Sequence, residues 1–285
     1  MTTRRLMSWN ILEGFFVPHA RENEPRVTDE TRLTAGTILI QRTNPDILVL
    51  NEALHCEPAF GQHRDYGALF GFPHLGAKLY DGSWGNVILS RFPIRDIRNL
   101  TIHRSGSRQN RGMLAVLVAL PEGDLWVATY HPHPHRRPWK RAEDFEEFLI
   151  SLSGPLLLCG DLNAISPEDG IDGENLTRAF EAFQKPDDAR RSVERFLEAG
   201  RLAFTETFPK LGLRDAVPET SRGYTIPTPM LNSSLDSAMR IDHILASSGI
   251  NIVAAGPVRS GEADVASDHY PVFADFSLVS GSLGT

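Results

Sequence analysis

The sequence predicts a single α/β domain. Three observations carry that reading: apolar strand-like runs recur along the chain, amphipathic helical stretches are interspersed among them, and no linker, repeat or low-complexity tract divides it. At 285 residues, with 41% hydrophobic and 23% charged side chains, the composition is globular and supplies a sizeable core. A formal charge of -7 disfavours a broadly basic nucleic-acid surface while leaving room for a local patch. The two cysteines, Cys56 and Cys159, sit in apolar surroundings and read as inert core thiols, too few for a disulfide framework. The chain begins without an apolar stretch of signal-peptide length, and no window approaches the roughly 18 apolar residues of a membrane span. A cytoplasmic enzyme is the expectation.

The elements follow in order. "RLMSWNI" reads as a first strand, then a polar stretch runs through Pro25. "TDETRLTAGTILIQRTN" reads as a helix capped near Thr28 or Asp29, with Ala35, Ile38 and Leu39 on one face. Pro45 precedes a buried strand, "DILVLNEA". "GNVILSR" and "GMLAVLVAL" are two more strands, and "DLWVATYH" follows the second after the turn "PEG". "RPWKRAEDFEEFLISL" is the clearest helix, because Phe145, Phe148, Leu149 and Leu152 recur at i, i+3, i+4, i+7. "PLLLCGD" returns to strand. Residues 166–236 differ, mixing the short charged helices "ENLTRAFEAFQ" and "ARRSVERFLEAG" with the loop "RGYTIPTPMLNSSLDS". Strands resume with "RIDHILAS", "INIVAAG" and "HYPVFADFSL". The expected organisation is one domain over 1–277, a helical and loop insertion at 166–236 near the active face, and a loose tail at 278–285.

Polar residues cluster where these strands stop. Asn10 ends the first strand and Glu52 ends "DILVLNE"; His131 ends "LWVATYH", and Asp161 with Asn163 follows "PLLLCG". Asp242 lies in "RIDHIL", and the pair Asp268 and His269 opens the predicted final strand. Any one of them is ordinary as a cap, turn or exposed edge. A carboxamide, carboxylate or imidazole at six strand ends is not, because scaffolds mount catalytic groups at sheet edges. If the strand continues through "GDLN", Asp161 and Asn163 share a face and could together serve a metal, a water or a phosphate.

The stretches "SWN", "LVLNEA", "NVILSRFPI", "VATYH", "LLLCGDLNA", "RIDHIL" and "SDHYPV" run in this order across nearly the whole chain. The set resembles the endonuclease/exonuclease/phosphatase superfamily, with "GDLNA" and the late "SDH" as its specific parts. The resemblance implies a four-layer α/β/β/α sandwich, two packed and mainly antiparallel sheets flanked by helices as in deoxyribonuclease I. It also implies hydrolysis of phosphate esters with a divalent cation, magnesium or else manganese. Hard oxygen ligands suit such an ion, which offsets charge at phosphorus. The same resemblance makes Glu52 the direct metal ligand. Asn10 would add its amide oxygen, directly or through water, and Asp268 would complete that side. Asp161 would orient or deprotonate the attacking water, and Asn163 would hold a phosphoryl oxygen or that water. His269 would contact the phosphate with Asp242 on its far nitrogen, and His131 would donate to a phosphoryl or leaving oxygen.

Substrate contacts are expected from Asn86, from Arg108 or Arg111 in "SRQNRG", and from Arg222 with Tyr224 in "SRGYTIPT". Arginine suits phosphate oxygens and tyrosine can stack on a base, although a polar strand start explains Asn86 equally simply and surface arginine is the commoner case. His133 and His135 in "HPHPH" suggest zinc, but the intervening prolines favour an extended loop and no fourth ligand is evident. The reading is a phosphodiesterase or nuclease-like enzyme acting on a nucleotide, a nucleic-acid end or another small phosphoester, with no protein partner indicated. The alternatives are a sphingomyelinase-like lipid phosphodiesterase or a phosphomonoesterase. A non-catalytic binding module on the same fold is disfavoured by the intact polar set.

Overall fold

In the computed structural model, which describes residues 2–18, 27–53, 64–79, 85–102, 111–231 and 234–279, the apolar runs form two six-stranded sheets. In chain order the elements are β1 (Arg4–Asn10), α1 (Glu30–Thr43), β2 (Ile47–Asn51), α2 (Tyr66–Phe70), β3 (His74–Leu79), β4 (Gly85–Ser90), β5 (Ile94–Ile102), β6 (Arg111–Leu120), β7 (Gly123–Tyr130), α3 (Pro138–Leu149), β8 (Leu156–Asp161), α4 (Gly173–Glu181), α5 (Pro186–Leu202), α6 (Phe208–Lys210), β9 (Leu213–Asp215), β10 (Asp242–Ser247), β11 (Ile250–Pro257), α7 (Gly261–Ala266) and β12 (Val272–Leu278). The first sheet has the order β11-β12-β1-β2-β4-β3, the second β5-β6-β7-β8-β10-β9. β1 runs parallel to β2 and β7 parallel to β8, and the other pairs are antiparallel. The ends of β1, β2, β7 and β8 therefore lie beside the starts of β10 and β12.

Period-two alternation builds the layers. Leu6, Ile47, Val49 and Ile88 of the first sheet pack against Val116, Val127, Leu157, Cys159 and Ile244 of the second. Met7, Trp9, Leu48 and Leu50 point the other way, onto Leu39 and Ile40 of α1 and Ala263 and Ala266 of α7. Trp126, Leu158 and Leu245 cover the opposite outside against Phe145, Phe148 and Leu149 of α3. Helix, sheet, sheet and helix thus stack as four layers. The N-cap of α1 is Asp29, whose carboxylate accepts the Arg32 N–H at 3.1 Å. Cys159 is buried between the sheets, and burial pushes its thiol up to about 12, so it is inert. Cys56 lies outside the described residues. Among the described residues, no helix is long and apolar enough to cross a membrane.

Three strands were not expected from the sequence. β3, β5 and β9 all lie at sheet edges, where one flank meets solvent and no continuous apolar run is required. β5, "IRDIRNLTI", is partly or fully exposed along all but its last residue, and β9 has three residues. The final strand needs a correction: it starts at Val272, so Asp268 and His269 lie in the loop between α7 and β12 instead of opening it.

Residues 166–236 hold α4, α5, a π-helical turn at Ala203–Thr207, α6 and β9, which joins the second sheet beside β10. Leu176, Phe180, Val193 and Phe196 make a satellite core with Ile165, Met239 and Ile241. α5 docks directly on the chain that follows β8. A Cβ on Gly200 would lie 1.6 Å from the Ile165 carbonyl oxygen, and the Ile165 N–H donates to the Phe196 carbonyl at 3.0 Å. Gly200→Ala should therefore lower unfolding free energy by about 1–3 kcal/mol, the usual cost of overpacking. Urea denaturation measures it, and an unchanged midpoint would show that α5 is not seated on Ile165.

Candidate active site

The inward stripe of each central strand turns polar at the same edge of the sandwich. Leu6 and Ser8 lead to Asn10, and Ile47 and Val49 lead to Asn51. Val127 leads to Thr129, Cys159 to Asp161, and on the antiparallel β10 Ile244 leads back to Asp242, directly opposite Asp161. Asn51 spans the two sheets here. Its side-chain oxygen accepts the Asp161 N–H at 2.9 Å, and its amide nitrogen donates to Asn86 Oδ1 at 2.9 Å and Thr129 Oγ1 at 3.1 Å. Gly160 makes this approach feasible. Its φ is +135°, and a Cβ there would sit 2.6 Å from the Tyr130 carbonyl oxygen and 2.9 Å from Asn51 Oδ1. This is why glycine precedes Asp161.

The strand ends at Asp161, which corrects the shared-face argument for Asn163. Asn163 instead takes a left-handed conformation, φ +48°, which asparagine tolerates. Its N–H donates to Asp161 Oδ1 at 3.0 Å and its side-chain amide donates to the Pro132 carbonyl at 3.0 Å. Both residues still line one cavity of about 340 Å³, together with Asn10, Glu52, Arg111, His131 and His269. The cavity is also lined by the loop after β7, by α4 and α5, and by the segment before β10, including His135, Phe180, Arg195, Phe196 and Met239.

Asp161 is the centre of this group. Its Oδ2 accepts from Asn10 Nδ2 at 3.0 Å and lies 3.3 Å from His131 Nε2 and 3.8 Å from His269 Nε2. Burial works to raise its pKa, but the two histidines and the Asn10 donor outweigh burial and hold it well below the usual carboxylate range. The two imidazoles have different partners. Arg111 Nη1 is 3.0 Å from His131 Nδ1, and a guanidinium can only donate, so Nδ1 accepts and the ring proton sits on Nε2, facing Asp161. His269 Nδ1 is 2.8 Å from Asp242 Oδ2. Burial opposes charge on His269, yet Asp242, Asp268 and Asp161 together raise it well above the ordinary histidine range. Arg240, the other partner that Asp242 could have had, pairs instead with Asp169 at 2.8 Å and Asp215 at 2.7 Å.

Glu52 follows β2 with φ +54°. Its Oε2 accepts the Glu13 N–H at 3.2 Å, and its Oε1 lies 3.8 Å from His131 Nε2. Burial, with a contribution from the Asp268 charge, raises its pKa despite the opposing pull of His131 and Arg111. Asp268 is half-buried beside Ser267, whose hydroxyl donates to the Asn10 carbonyl at 2.7 Å. Asp161, Asp242 and His269 also each place one ligand-type atom within 4.8 Å of the others.

Other expected contacts fall elsewhere. Asn86 is buried behind the cavity, with its oxygen on Asn51 and its amide donating to the Gly112 carbonyl at 3.2 Å. Arg222 pairs with Glu168 at 2.5 Å, and Tyr224 packs under Arg259, 3.8 Å from its ring centroid, so neither lines the cavity. Arg108 lies outside the described residues. His133 and His135 face one another at 5.3 Å between ring centroids, and Arg195 Nη1 sits 2.6 Å from His135 Nδ1. Sequence reasoning missed Asn51, Thr129, Arg195 and two buried arginines that hold the site loops. Arg32 donates to the carbonyls of Ile11, Leu12, Phe16 and Ala266, and Arg141 to those of Pro134 and Asn163. Of these, only Asn51 had a readable signal, a lone amide in an otherwise apolar strand.

Residues 7–269 match the profile of the Endonuclease/Exonuclease/phosphatase family. No curated protein sequence matches the chain. Solved structures with a similar fold include an endonuclease/exonuclease/phosphatase from Beutenbergia cavernae, 23% identical with a TM-score of 0.64 over 97% of this chain and 72% of that one. A second, from Bacteroides vulgatus, is 14% identical with a TM-score of 0.66 over 98% and 100%. An AP endonuclease from Archaeoglobus fulgidus is 17% identical with a TM-score of 0.62 over 96% and 100%. At these identities the likeness establishes the fold.

The Asp242–His269 pair makes a specific prediction. The carboxylate raises the imidazole, so the charged ring persists as pH rises and is lost only above the raised value. Asp242→Asn should lower turnover by about 10²–10⁴, in the range for a disabled acid–base group, and move the alkaline limb of the pH–rate profile to lower pH. Since groups acting as a unit are non-additive, Asp242→Asn with His269→Ala should be little worse than His269→Ala alone. Multiplicative losses in a double-mutant cycle would separate the two residues.

Proposed function

The chain belongs to the endonuclease/exonuclease/phosphatase family and is a hydrolase of phosphate esters, and on that premise we propose a divalent-metal-dependent phosphodiesterase of nuclease-like type. Water attacks phosphorus in line with the departing oxygen. One observation carries the reading: carboxylates, amides and imidazoles from the ends of both sheets line one cavity.

The donor set suits a hard cation. The Asp268 charge adds to the cost of an ionised Glu52, and the Asn10 side-chain oxygen, which accepts the Leu12 N–H at 3.1 Å, has a second lone pair. Two carboxylates and an amide oxygen are what magnesium takes when it keeps several waters, and manganese accepts the same set. The alternative grouping of Asp161, Asp242 and His269 already has two members joined by the 2.8 Å hydrogen bond, so we place the ion at Glu52. When bound, it would offset negative charge on the phosphoryl group.

The chain's own residues do the rest. Asp161, kept ionised, orients the attacking water with a lone pair not engaged by Asn10 or Asn163. Its low proton affinity fits orientation better than full deprotonation. His269, charged through Asp242, lies against a phosphoryl oxygen and compensates the charge that builds there. His131 offers its Nε2 proton to a phosphoryl or leaving oxygen, and Arg111 fixes that tautomer.

Glu52→Gln tests the ion assignment. It keeps shape and removes charge, so half-maximal activation should need at least about tenfold more magnesium, the usual loss for a weakened metal site. An unchanged activation curve would remove Glu52 from the ion. Activity on bis-p-nitrophenyl phosphate and p-nitrophenyl phosphate, each with magnesium and with manganese, tests the reaction class. Cleavage of the monoester alone would overturn the phosphodiesterase reading in favour of a phosphomonoesterase.

A further inference from the structure

Arg195 lines the cavity without the carboxylate partner that several arginines around it have. Arg136 pairs with Asp144, Arg191 with Asp188, Arg201 with Glu198 and Glu206, Arg222 with Glu168 and Arg240 with Asp169 and Asp215. Among the described residues, no carboxylate lies within 4.0 Å of Arg195, in a protein whose net charge is -7. Its partner is instead His135, through Nδ1 at 2.6 Å. Because a guanidinium only donates, His135 accepts and adds no negative charge.

The position is not neutral ground either. Arg195 and Arg141 sense one another's charge, and Arg195 lines the same cavity as Asp161 and His269. Arg195 is half-buried and held by an acceptor that brings no compensating negative charge, so its guanidinium keeps donors to offer an anion. α5 supplies the reason it stays there. Gly200 seats the helix on Ile165, four residues after Asp161, so Ser192, Arg195 and Phe196 face the cavity at helical spacing. The same cavity has an apolar lining from Phe180, Phe196, Ile226, Met239 and Ile241, with Gln184 and Ser192 beside it. At about 340 Å³ the cavity is at the small end of ligand sites, which usually span about 300–1,000 Å³.

We propose that Arg195, oriented by His135, is a second anion-binding point, and that the substrate is a small phosphodiester whose non-leaving arm carries a further phosphate or carboxylate across an apolar spacer. This rests on the phosphodiesterase reading and adds the substrate class. It also gives "HPHPH" a role without a metal: His131 serves the reacting phosphorus, and His135 aims the arginine at the far anion.

The test uses p-nitrophenyl phosphodiesters that share a leaving group and differ in the second arm. That arm is a plain alkyl chain, an alkyl chain ending in carboxylate, or one ending in phosphonate, each with three or six carbons. Wild type should favour at least one anion-ended arm by about tenfold in kcat/KM over its plain counterpart, the scale of one charge-assisted contact. Which ending is favoured tells carboxylate from phosphate. Arg195→Gln should bring that ratio close to one, and Arg195→Lys should restore part of it. No preference in wild type, or the same ratio in Arg195→Gln, overturns the proposal. If none of these esters is hydrolysed, the phosphodiesterase reading fails by itself. Calorimetry without added divalent cation then decides the anion point, using propane-1,3-bisphosphonate against propylphosphonate. A preference for the bisphosphonate that Arg195→Gln abolishes supports the proposal, and equal binding by both proteins overturns it.

Discussion

The side chain of Asn51 is the joint on which the polar edge of the sandwich depends. An amide offers one acceptor oxygen and two donor hydrogens, and here the oxygen takes the Asp161 N–H while the nitrogen reaches Asn86 and Thr129. Those partners come from β8, β4 and β7, so one residue ties the first sheet to the second. Aliphatic packing between the sheets is non-directional, whereas a buried amide left unpaired costs about 1–3 kcal/mol. The bonds therefore fix where the two sheets meet. Glu52 is adjacent to Asn51, His131 is two residues past Thr129, and Asp161 is itself a partner. Their relative placement follows from this seam.

Backbone strain is concentrated at the same edge. Leu12, Glu13, Glu52 and Asn163 all have positive φ without being glycine. Such conformations persist only where the surroundings over-determine them. Two buried arginines do that. Arg32 gathers four carbonyls from the loop after β1 and the end of α7, and Arg141 gathers those of Pro134 and Asn163. Burial pulls both guanidinium pKa values down, to about 10 for Arg141, but they remain charged. Their cationic charge also lies near acidic groups of the site, Asp268, Glu13 and Glu52 for Arg32 and Asp161 for Arg141. The loops and the carboxylates are thus held by the same two side chains.

Much of this was legible in the sequence because the central strands are buried on both faces. Their apolar runs are continuous, and the polar residue that ends each run stands out: Asn10, Glu52, Asp161 and, read backwards, Asp242. The edge strands β3, β5 and β9 lack that signal and were not foreseen, whereas the edge strand β11 carries the apolar run "INIVAAG" and was. Asn163 lies in the cavity, but by a turn in the chain and not by strand alternation, a distinction that spacing of two cannot make. Arg222 and Tyr224 were expected at the site and Arg195 was not, because a sequence gives no means of knowing which arginine in a charged segment finds a carboxylate. That depends on how α5 docks, and docking depends on Gly200, whose importance appears only once Ile165 is seen beneath it.

The two histidines of the cavity show how far residue type alone falls short of function. His131 meets a guanidinium at Nδ1, which can only donate, so the ring accepts there and turns its proton to Asp161. His269 meets a carboxylate at Nδ1, which can only accept when ionised, so the ring donates there and is raised toward the charged form. One imidazole is thereby a hydrogen-bond donor of fixed tautomer and the other a cation, on either side of a single carboxylate. Phosphoryl transfer needs both kinds of group, a cation where charge spreads over the equatorial oxygens and a directed donor or acceptor where a bond forms or breaks. The division is set by what stands behind each ring, Arg111 from β6 and Asp242 from β10. Both supports come from the second sheet, the sheet whose position at this edge Asn51 fixes.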